Sequence, residues 1–318
     1  MLPKVYIDGQ SGTTGLRIRE WMERRDDIEL LEVPYESRRD IEARQEQVFE
    51  SDVSILCLPD DSAREVAAWA ADSDTRIIDA STAHRIDNDW TYGLPEFRAD
   101  QRDAIREAKF VSNPGCYPSA FILLTRPLVD AGLLSADAAV SIHALSGYSG
   151  GGRSMIEHWE NPDSGLDSLP FEAPYALSQR HKHVPEMMKY TGLSIEPQFV
   201  PSVGPFKCGM RVQVPINAAQ LHGGGTGEDV WQALNESYEG ETFVKVAPKE
   251  RPSPVNDFSF DPQACNDTNE IELHVVSHSS GHVLLIGLLD NLGKGASGVA
   301  IQNLNLMLGM PETAGLPE

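Results

Sequence analysis

Over the first 115 residues the spacing of apolar positions switches repeatedly between short strand-like runs and helical periodicity. Residues 5–7 are β-prone and lead into a glycine-rich turn, after which a helical pattern runs through Trp21 and Met22. Residues 28–33 read as the next strand, and 40–49 as a helix capped by Asp40 or a near neighbour. Residues 53–58 are mostly apolar up to Pro59-Asp60-Asp61, the look of a strand buried on both faces. An Ala-rich stretch at 62–71 predicts a helix, and 76–80 and 109–112 predict two further strands. Strands alternating with helices imply right-handed parallel crossovers and an open, doubly wound sheet.

The pattern changes after Leu133. Residues 138–145, 195–200 and 209–216 read as strands. Residues 271–275 alternate with period two, so one face is expected to be wet. Ser277 to Gly281 is turn material, and 282–289 is a second apolar strand, so a hairpin and antiparallel sheet follow. The stretches 147–152 and 157–178 are loop-rich, and loops of that length in a compact domain tend to be functional or mobile. Residues 295–308 predict an amphipathic helix, with Val299, Ile301, Leu304 and Leu308 near helical spacing. The expected fold class is therefore α/β plus α+β. A Rossmann-like, doubly wound parallel sheet would fill 1–115, a mostly antiparallel α+β domain 116–294, and a helix within 295–318 would return to the first domain.

Composition narrows the partners. With 318 residues, two domains are expected. Lys and Arg number 26 against 48 Asp and Glu, a formal charge of −22. Such a surface repels phosphate backbones and anionic headgroups, so neither nucleic acid nor membrane is the expected partner. No apolar run approaches the roughly 18 residues of a membrane span, and the start runs straight into a strand, so no signal peptide is expected. Cys57, Cys116, Cys208 and Cys265 include no C-x-x-C pair, so no zinc or dithiol site is expected, no metal is assigned, and the compartment reads as reducing and cytoplasmic. No internal repeat stands out. A salt-rich habitat would account for the charge, as would unselected drift in surface composition.

Gly9-Gln10-Ser11-Gly12-Thr13-Thr14-Gly15 joins the first strand to the first helix. Glycines there let a pyrophosphate approach the backbone, and the helix start binds the anion. The spacing is G-x-x-G-x-x-G rather than the commoner G-x-G-x-x-G, and a bare turn with glycines for packing is the alternative. After the second strand, Tyr35-Glu36-Ser37-Arg38-Arg39 offers two arginines suited to a 2′-phosphate, which favours NADP. Arg38 and Arg39 also read as a solvated helix start, and Glu36 keeps NAD open.

The most informative stretch is Ser112-Asn113-Pro114-Gly115-Cys116-Tyr117-Pro118. A strand ends, Pro114-Gly115 turns, and Pro118 suits a first helical turn, so Cys116 is expected at a helix start on the carboxyl edge of the sheet. Helix starts favour thiolate. A lone cysteine is by default a buried structural residue; Cys57, within an apolar strand, fits that reading and Cys116 does not. Among the nine histidines, the run Arg180-His181-Lys182-His183-Val184-Pro185-Glu186 stands out, with a surface basic patch as its plain alternative.

At these residues the chain resembles the N-acetyl-γ-glutamyl-phosphate reductases of arginine biosynthesis, in their shorter form, over nearly its whole length. Cys116 lies in a match to the family's P-G-C-[FY] motif. Further matches are Leu58-Pro59-Asp60-Asp61, Asp79 to Arg85, Tyr92 to Glu96, Ser149 to Arg153, His181 to Glu186, with Lys182 where the family has arginine, and Asp290 to Gly295. The resemblance implies an NADP-dependent, cytoplasmic homo-oligomer, a homodimer or homotetramer, that acts on a small acyl phosphate and releases inorganic phosphate. It implies Cys116 as nucleophile and His181 as acid/base, with His181 also helping to keep Cys116 ionised. Substrate contacts are expected from Ser149, Gly150, Arg153, His183, Glu186 and Lys207, and Arg180 and Lys182 are further sources of positive field. Glu186 orients the histidines or is a solvated helix-start carboxylate. Cofactor contacts are expected from Gly9, Ser11, Gly12, Thr13, Thr14, Gly15, Ser37, Arg38, Pro59, Ser81 and Asn291. Longer members carry Arg-Gly where this chain aligns Cys208-Gly209, and Lys207 is the candidate to fill that anion-binding role. An aspartate-semialdehyde dehydrogenase and a non-catalytic NADP-binding regulator are the alternatives.

Overall fold

The computed structural model describes residues 1–166, 168–249 and 260–317. The chain divides into two units, Met1–Gly115 with Ala296–Pro317, and Cys116–Gly295.

In the first unit, strands β1 (Lys4–Asp8), β2 (Glu29–Leu31), β3 (Val53–Leu56), β4 (Arg76–Asp79), β5 (Thr91–Tyr92) and β6 (Phe110–Ser112) alternate with helices α1 (Thr13–Met22), α2 (Ile41–Glu50), α3 (Asp60–Ala70) and α4 (Gln101–Glu107). All strand pairs are parallel, in the order β2-β1-β3-β4-β6-β5. The chain leaves β1 to one side for β2 and returns on the other for β3. The crevice of a doubly wound sheet opens at such a reversal. Every residue of β3 is buried, Ser54 included, whose hydroxyl pairs with that of Ser51 at 2.8 Å. Asp40 caps α2 by accepting from the Ala43 N–H at 3.1 Å. Helix α3 starts two residues earlier than its apolar pattern suggests. Pro59 supplies the extended N-cap, and Asp60 and Asp61 fill the first turn, where carboxylates favour the helix dipole.

The second unit contains α5 (Cys116–Asp130), β7 (Ser141–Gly147), α6 (Arg153–Trp159), β8 (Ala173–Pro174), α7 (Val184–Thr191), β9 (Gln198–Gly204), β10 (Met210–Ile216), α8 (Gly227–Ser237), β11 (Val244–Val246), β12 (Ile271–Ser277) and β13 (Val283–Leu289). Its sheet runs β11-β12-β13-β10-β7-β9-β8. The β12–β13, β13–β10, β10–β7 and β9–β8 pairs are antiparallel, while β11–β12 and β7–β9 are parallel. The sheet is mixed, with antiparallel pairs in the majority. The hairpin predicted for 271–289 is present in full register, from Ile271 opposite Leu289 to Ser277 opposite Val283. Two strand predictions were displaced along the chain: 138–145 became Ser141–Gly147, and 195–200 became Gln198–Gly204. Both strands continue through Ser and Gly, which a hydropathy pattern treats as turn.

One face of this sheet carries α5; a side chain at Gly287 would meet Ala120 and Leu124 of that helix. The opposite face presents the register row His274, Ile286, Gln213, His143. Cys265 and partly buried Phe260 cover its Ile286–Leu288 end, while His143 and Pro215 are exposed.

The last helix, α9 (Gly298–Met307), corrects the sequence reading. Instead of being amphipathic it is buried all round, Gln302, Asn303 and Asn305 included. The amide nitrogens of all three donate inside the first unit, while Asn303 Oδ1 is buried with no partner among the described residues. Asn303 Nδ2 donates to the Gly93 carbonyl at 2.8 Å and to Asn113 Oδ1 at 3.2 Å. Gln302 donates to Glu96 and Glu312, and Asn305 to the carbonyls of Glu312 and Ala314. Buried amides are tolerated when each finds such partners.

Candidate active site

In the first unit the residues expected to hold a dinucleotide collect at the carboxyl ends of neighbouring strands. Gly9 follows β1 with φ +86°, and a Cβ there would run into the Cys57 carbonyl beyond β3. A Cβ on Gly15 would sit 2.6 Å from the Gly9 carbonyl. The turn is thus glycine-lined on both sides of a close backbone approach. Gly12 is the N-cap of α1; no side chain caps that helix and its first turn holds no acid. The helix start carrying Thr13 and Thr14, with Ser11 exposed beside it, is therefore open to an anion. Pro59 follows β3, and Ser81 follows β4. The Ser81 hydroxyl donates to Asp79 at 2.7 Å, and His84 Nδ1 lies 2.7 Å from the same carboxylate. After β2, Ser37 closes a 3₁₀ turn, and the Arg38 guanidinium stacks 3.7 Å from the Tyr35 ring while donating to the Tyr35 carbonyl at 2.6 Å. Gly9→Ala is expected to destabilise the chain by about 1–3 kcal/mol, from positive-φ strain plus displacement of the Cys57 carbonyl. The denaturant midpoint measures it.

In the second unit, Cys116 is the first residue of the fifteen-residue helix α5 and is partly exposed. Burial pushes the Cys57 and Cys265 thiols up to about 12, so those two are kept protonated and inert. The next side chain, Tyr117, is buried and raised well above 10 by that burial. Tyr175 follows the edge strand β8. Its hydroxyl donates to the Tyr117 hydroxyl at 3.1 Å and lies 3.4 Å from His181 Nε2. Burial pushes Tyr175 up to about 12, and the nearby Cys116 charge adds to the rise. His181 is ringed edge-on by Tyr117, His183 and Phe199, with centroids 5.9, 4.8 and 5.1 Å away. Burial, with Lys182 alongside, lowers His181 to about 4. A shift in that direction favours the neutral imidazole. The 180–186 run is no flat basic patch: His183 and Glu186 are buried, which also excludes the solvated reading of Glu186.

The remaining candidates fall into two groups. Ser149 is buried; its hydroxyl accepts from Asn291 Nδ2 at 2.9 Å and lies 3.5 Å from Cys208 Sγ. Asn291 Oδ1 accepts the Gly209 N–H at 2.8 Å. Asn291 therefore ties the Ser149–Gly150 loop to Gly209 within the second unit. Arg153, Arg180 and Lys207 are exposed and pair with Glu157, Glu196 and Glu160 at 2.7–2.9 Å. Such surface pairs are worth little and yield to an incoming anion.

A family model described as the semialdehyde dehydrogenase NAD binding domain matches residues 4–107, and one described as the semialdehyde dehydrogenase dimerisation domain matches 116–291. An N-acetyl-γ-glutamyl-phosphate reductase 2 of Nostoc sp. is 46% identical, covering 99% of each chain. An N-acetyl-γ-glutamyl-phosphate reductase of Chelativorans sp. is 47% identical over 97% of this chain and 99% of its own. This chain belongs to the N-acetyl-γ-glutamyl-phosphate reductase family.

The fold of this reductase family member is also that of solved aspartate semialdehyde dehydrogenases. One from Vibrio cholerae, complexed with ASA, has a TM-score of 0.72 at 16% identity, covering 97% of this chain and 99% of its own. One from Candida albicans, with NADP, has a TM-score of 0.66 at 17%, with the same coverage. Sequence reasoning about the reductase missed Tyr175, which lies in a loop without periodicity. Only the pairing of β8 with β9 brings it to His181, and no local pattern announces that pairing. It also missed the buried lysine Lys294, whose ammonium sits 5.6 Å from the Phe243 ring centroid.

Proposed function

We propose that this chain reduces N-acetyl-γ-glutamyl phosphate to the semialdehyde through a thioester on Cys116, with NADPH as reductant. The observation that carries the reading is a partly exposed thiol at the first position of a long helix, beside a hydrogen-bonded Tyr–His chain. The helix start stabilises thiolate through its dipole. Cys116 Sγ attacks the acyl carbon, the carbon–oxygen bond to phosphate breaks, and phosphate leaves with the electron pair. His181 Nε2–H donates a hydrogen bond to the oxygen on which charge builds. The Ser149–Gly150 loop and the displaceable pairs of Arg153, Arg180 and Lys207 supply polar and positive groups for phosphate and α-carboxylate.

The glycine turn, Ser37 and Arg38, Pro59 and Ser81 are the residues to hold the dinucleotide; the uncapped α1 start and the close approach at Gly9 fit its pyrophosphate. When bound, it would supply the hydride that turns the thioester into a thiohemiacetal alkoxide, which collapses to the aldehyde and returns the Cys116 thiolate. Arg38, already held over an exposed tyrosine, suits a 2′-phosphate. Arg38→Ala is expected to raise KM for NADPH about tenfold or more while leaving KM for NADH within about twofold, since one charge-assisted contact is worth about 1.5–3 kcal/mol. Equal effects on both cofactors would reject this assignment.

No described helix is long and apolar enough to cross a membrane, and the four cysteines are free; a reducing cytoplasm suits both. We assign a homodimer or homotetramer to the chain, built on the sheet face that carries His143 and Gln213. The test of function is the phosphate-dependent oxidation of N-acetylglutamate semialdehyde with NADP⁺. A preference for aspartate semialdehyde would replace the substrate, and binding of cofactor without turnover on either would replace the enzyme.

A further inference from the structure

Tyr35 opens the 3₁₀ turn that follows β2, and Arg38 is its C-cap. With three residues per turn, positions i and i+3 of a 3₁₀ turn lie on one side of the backbone, one above the other. The Ser37 N–H donates to the Pro34 carbonyl at 2.9 Å, and the Asp40 N–H donates to the Ser37 carbonyl at 2.8 Å, so the turn is tied on both sides. Tyr35 and Arg38 therefore meet, and the guanidinium carbon lies 3.7 Å from the centre of the ring. Arg38 Nη1 also donates to the Tyr35 carbonyl at 2.6 Å. One residue thus holds the guanidinium twice, through its ring and through its backbone. The ring is 68% exposed, so the fold does not depend on it, and among the described residues it meets no other aromatic group or cation.

Neither tether is charged. Arg19, Arg44, Arg126 and Arg153 each pair with a carboxylate at 2.7–2.8 Å. Arg38 has no carboxylate partner among the described residues, in a chain with 48 acids. A ring and a carbonyl fix a guanidinium without neutralising it, so its charge stays available to an anion. A guanidinium has five N–H donors; with one given to the Tyr35 carbonyl, the others can still reach phosphate oxygens.

We propose that Tyr35 is a positioning residue for cofactor choice: it holds Arg38 in place, still charged, for the 2′-phosphate of NADPH, and favours NADPH over NADH through that arginine alone. The proposal rests on the reading of Arg38 above and adds why the guanidinium is ready before the dinucleotide arrives. A free arginine side chain loses rotamer freedom when it grips a phosphate. One that is already held loses less, and the difference appears as affinity. NADH, with a hydroxyl at the 2′ position, gains nothing from the arrangement.

The test is equilibrium binding of NADPH and of NADH, followed by dinucleotide fluorescence, to the full chain carrying Tyr35→Leu, which keeps bulk at the position and removes the π face. Kd for NADPH is expected to rise about two- to fivefold, the factor that a cation–π contact at an exposed site corresponds to, with Kd for NADH within about 1.5-fold of the parent. Displacement of NADPH by adenosine 2′,5′-bisphosphate should weaken in the same proportion, and displacement by AMP should not. Tyr35→Phe keeps the ring and the carbonyl and is expected to bind both dinucleotides as the parent does. In an Arg38→Ala chain, adding Tyr35→Leu should change Kd for NADPH by less than about 1.5-fold, because the ring acts through the guanidinium. Tyr35→Ala serves should the leucine variant fold poorly. Equal weakening of NADPH and NADH would put the ring against the half of the dinucleotide that both share and overturn the proposal. Parental Kd values for both, or a Tyr35→Leu effect that persists without Arg38, would overturn it too. If Arg38→Ala itself weakens both dinucleotides equally, the underlying 2′-phosphate reading falls instead, whatever Tyr35 does.

Discussion

Cys116→Ser is expected to lose at least about 10⁴-fold in kcat for the phosphate-dependent oxidation, in line with the loss of a nucleophile in other covalent enzymes. A serine hydroxyl is not ionised at a helix start at neutral pH, so the replacement keeps shape and removes the attacking species. The site is partly exposed and the change is one atom, so the thermal midpoint should move by less than about 2 °C, the scale of a few tenths of a kcal/mol in a chain this size. Single-turnover mixing of the parent with acyl phosphate, without dinucleotide, should release about one phosphate per chain. A serine variant that still turns over within about tenfold of the parent removes Cys116 from the scheme.

His181→Ala has the second-largest expected effect, about 10²–10³-fold in kcat, the range for removing a donor to a developing oxyanion. Its pH signature separates it from an ordinary histidine. With the folded value held to about 4 by burial, His181 is neutral above that and becomes charged only below it. The parent profile should therefore show no limb between pH 5 and 8 that disappears on His181→Ala. The sign for stability follows from the same shift. The folded value lies below the unfolded one, so the contribution is complete above about pH 6.5 and is lost as pH falls towards 4. Urea midpoints at pH 7.5 and 5, compared between parent and variant, report it, and a parent that gains stability on acidification relative to the variant would reverse the assignment.

What the sequence made legible follows from how local each signal is. The alternation of β3 with α2 and α3 and the glycine turn are carried by neighbours in the chain, and so is Cys116 at the start of α5, where Pro114 and Gly115 break the strand. All of these are found in the structure at or near their expected positions. The polar side of α9 misled because Gln302, Asn303 and Asn305 have their partners at Glu96, Gly93, Asn113 and Glu312, far away along the chain. A hydropathy pattern counts an amide as wet, whereas a folded core accepts it when its hydrogen bonds are met. Asn291 ties the Ser149 loop to Gly209, a bond that exists only after β10 and β13 have paired and that no local pattern announces. Tyr175 was invisible for the same reason. The chemistry-bearing type and place of Cys116 are local; the orientation of His181 is a property of the closed sheet.

The burial of α9 bears on biosynthesis. The first unit is assembled from two stretches, Met1–Gly115 and Ala296–Pro317, with the whole second unit encoded between them. During translation Asn113, Gly93 and Glu96 emerge well before the amides that bond to them, and α4 and β4 wait for the helix that packs on them. A nascent chain whose residues up to Gly295 have cleared the ribosome while 296–317 have not would hold a second unit able to close and a first unit still lacking a wall. Pulse proteolysis of such ribosome-bound chains should find residues 1–115 cleaved while 116–295 resists, an order of maturation opposite to the order of synthesis.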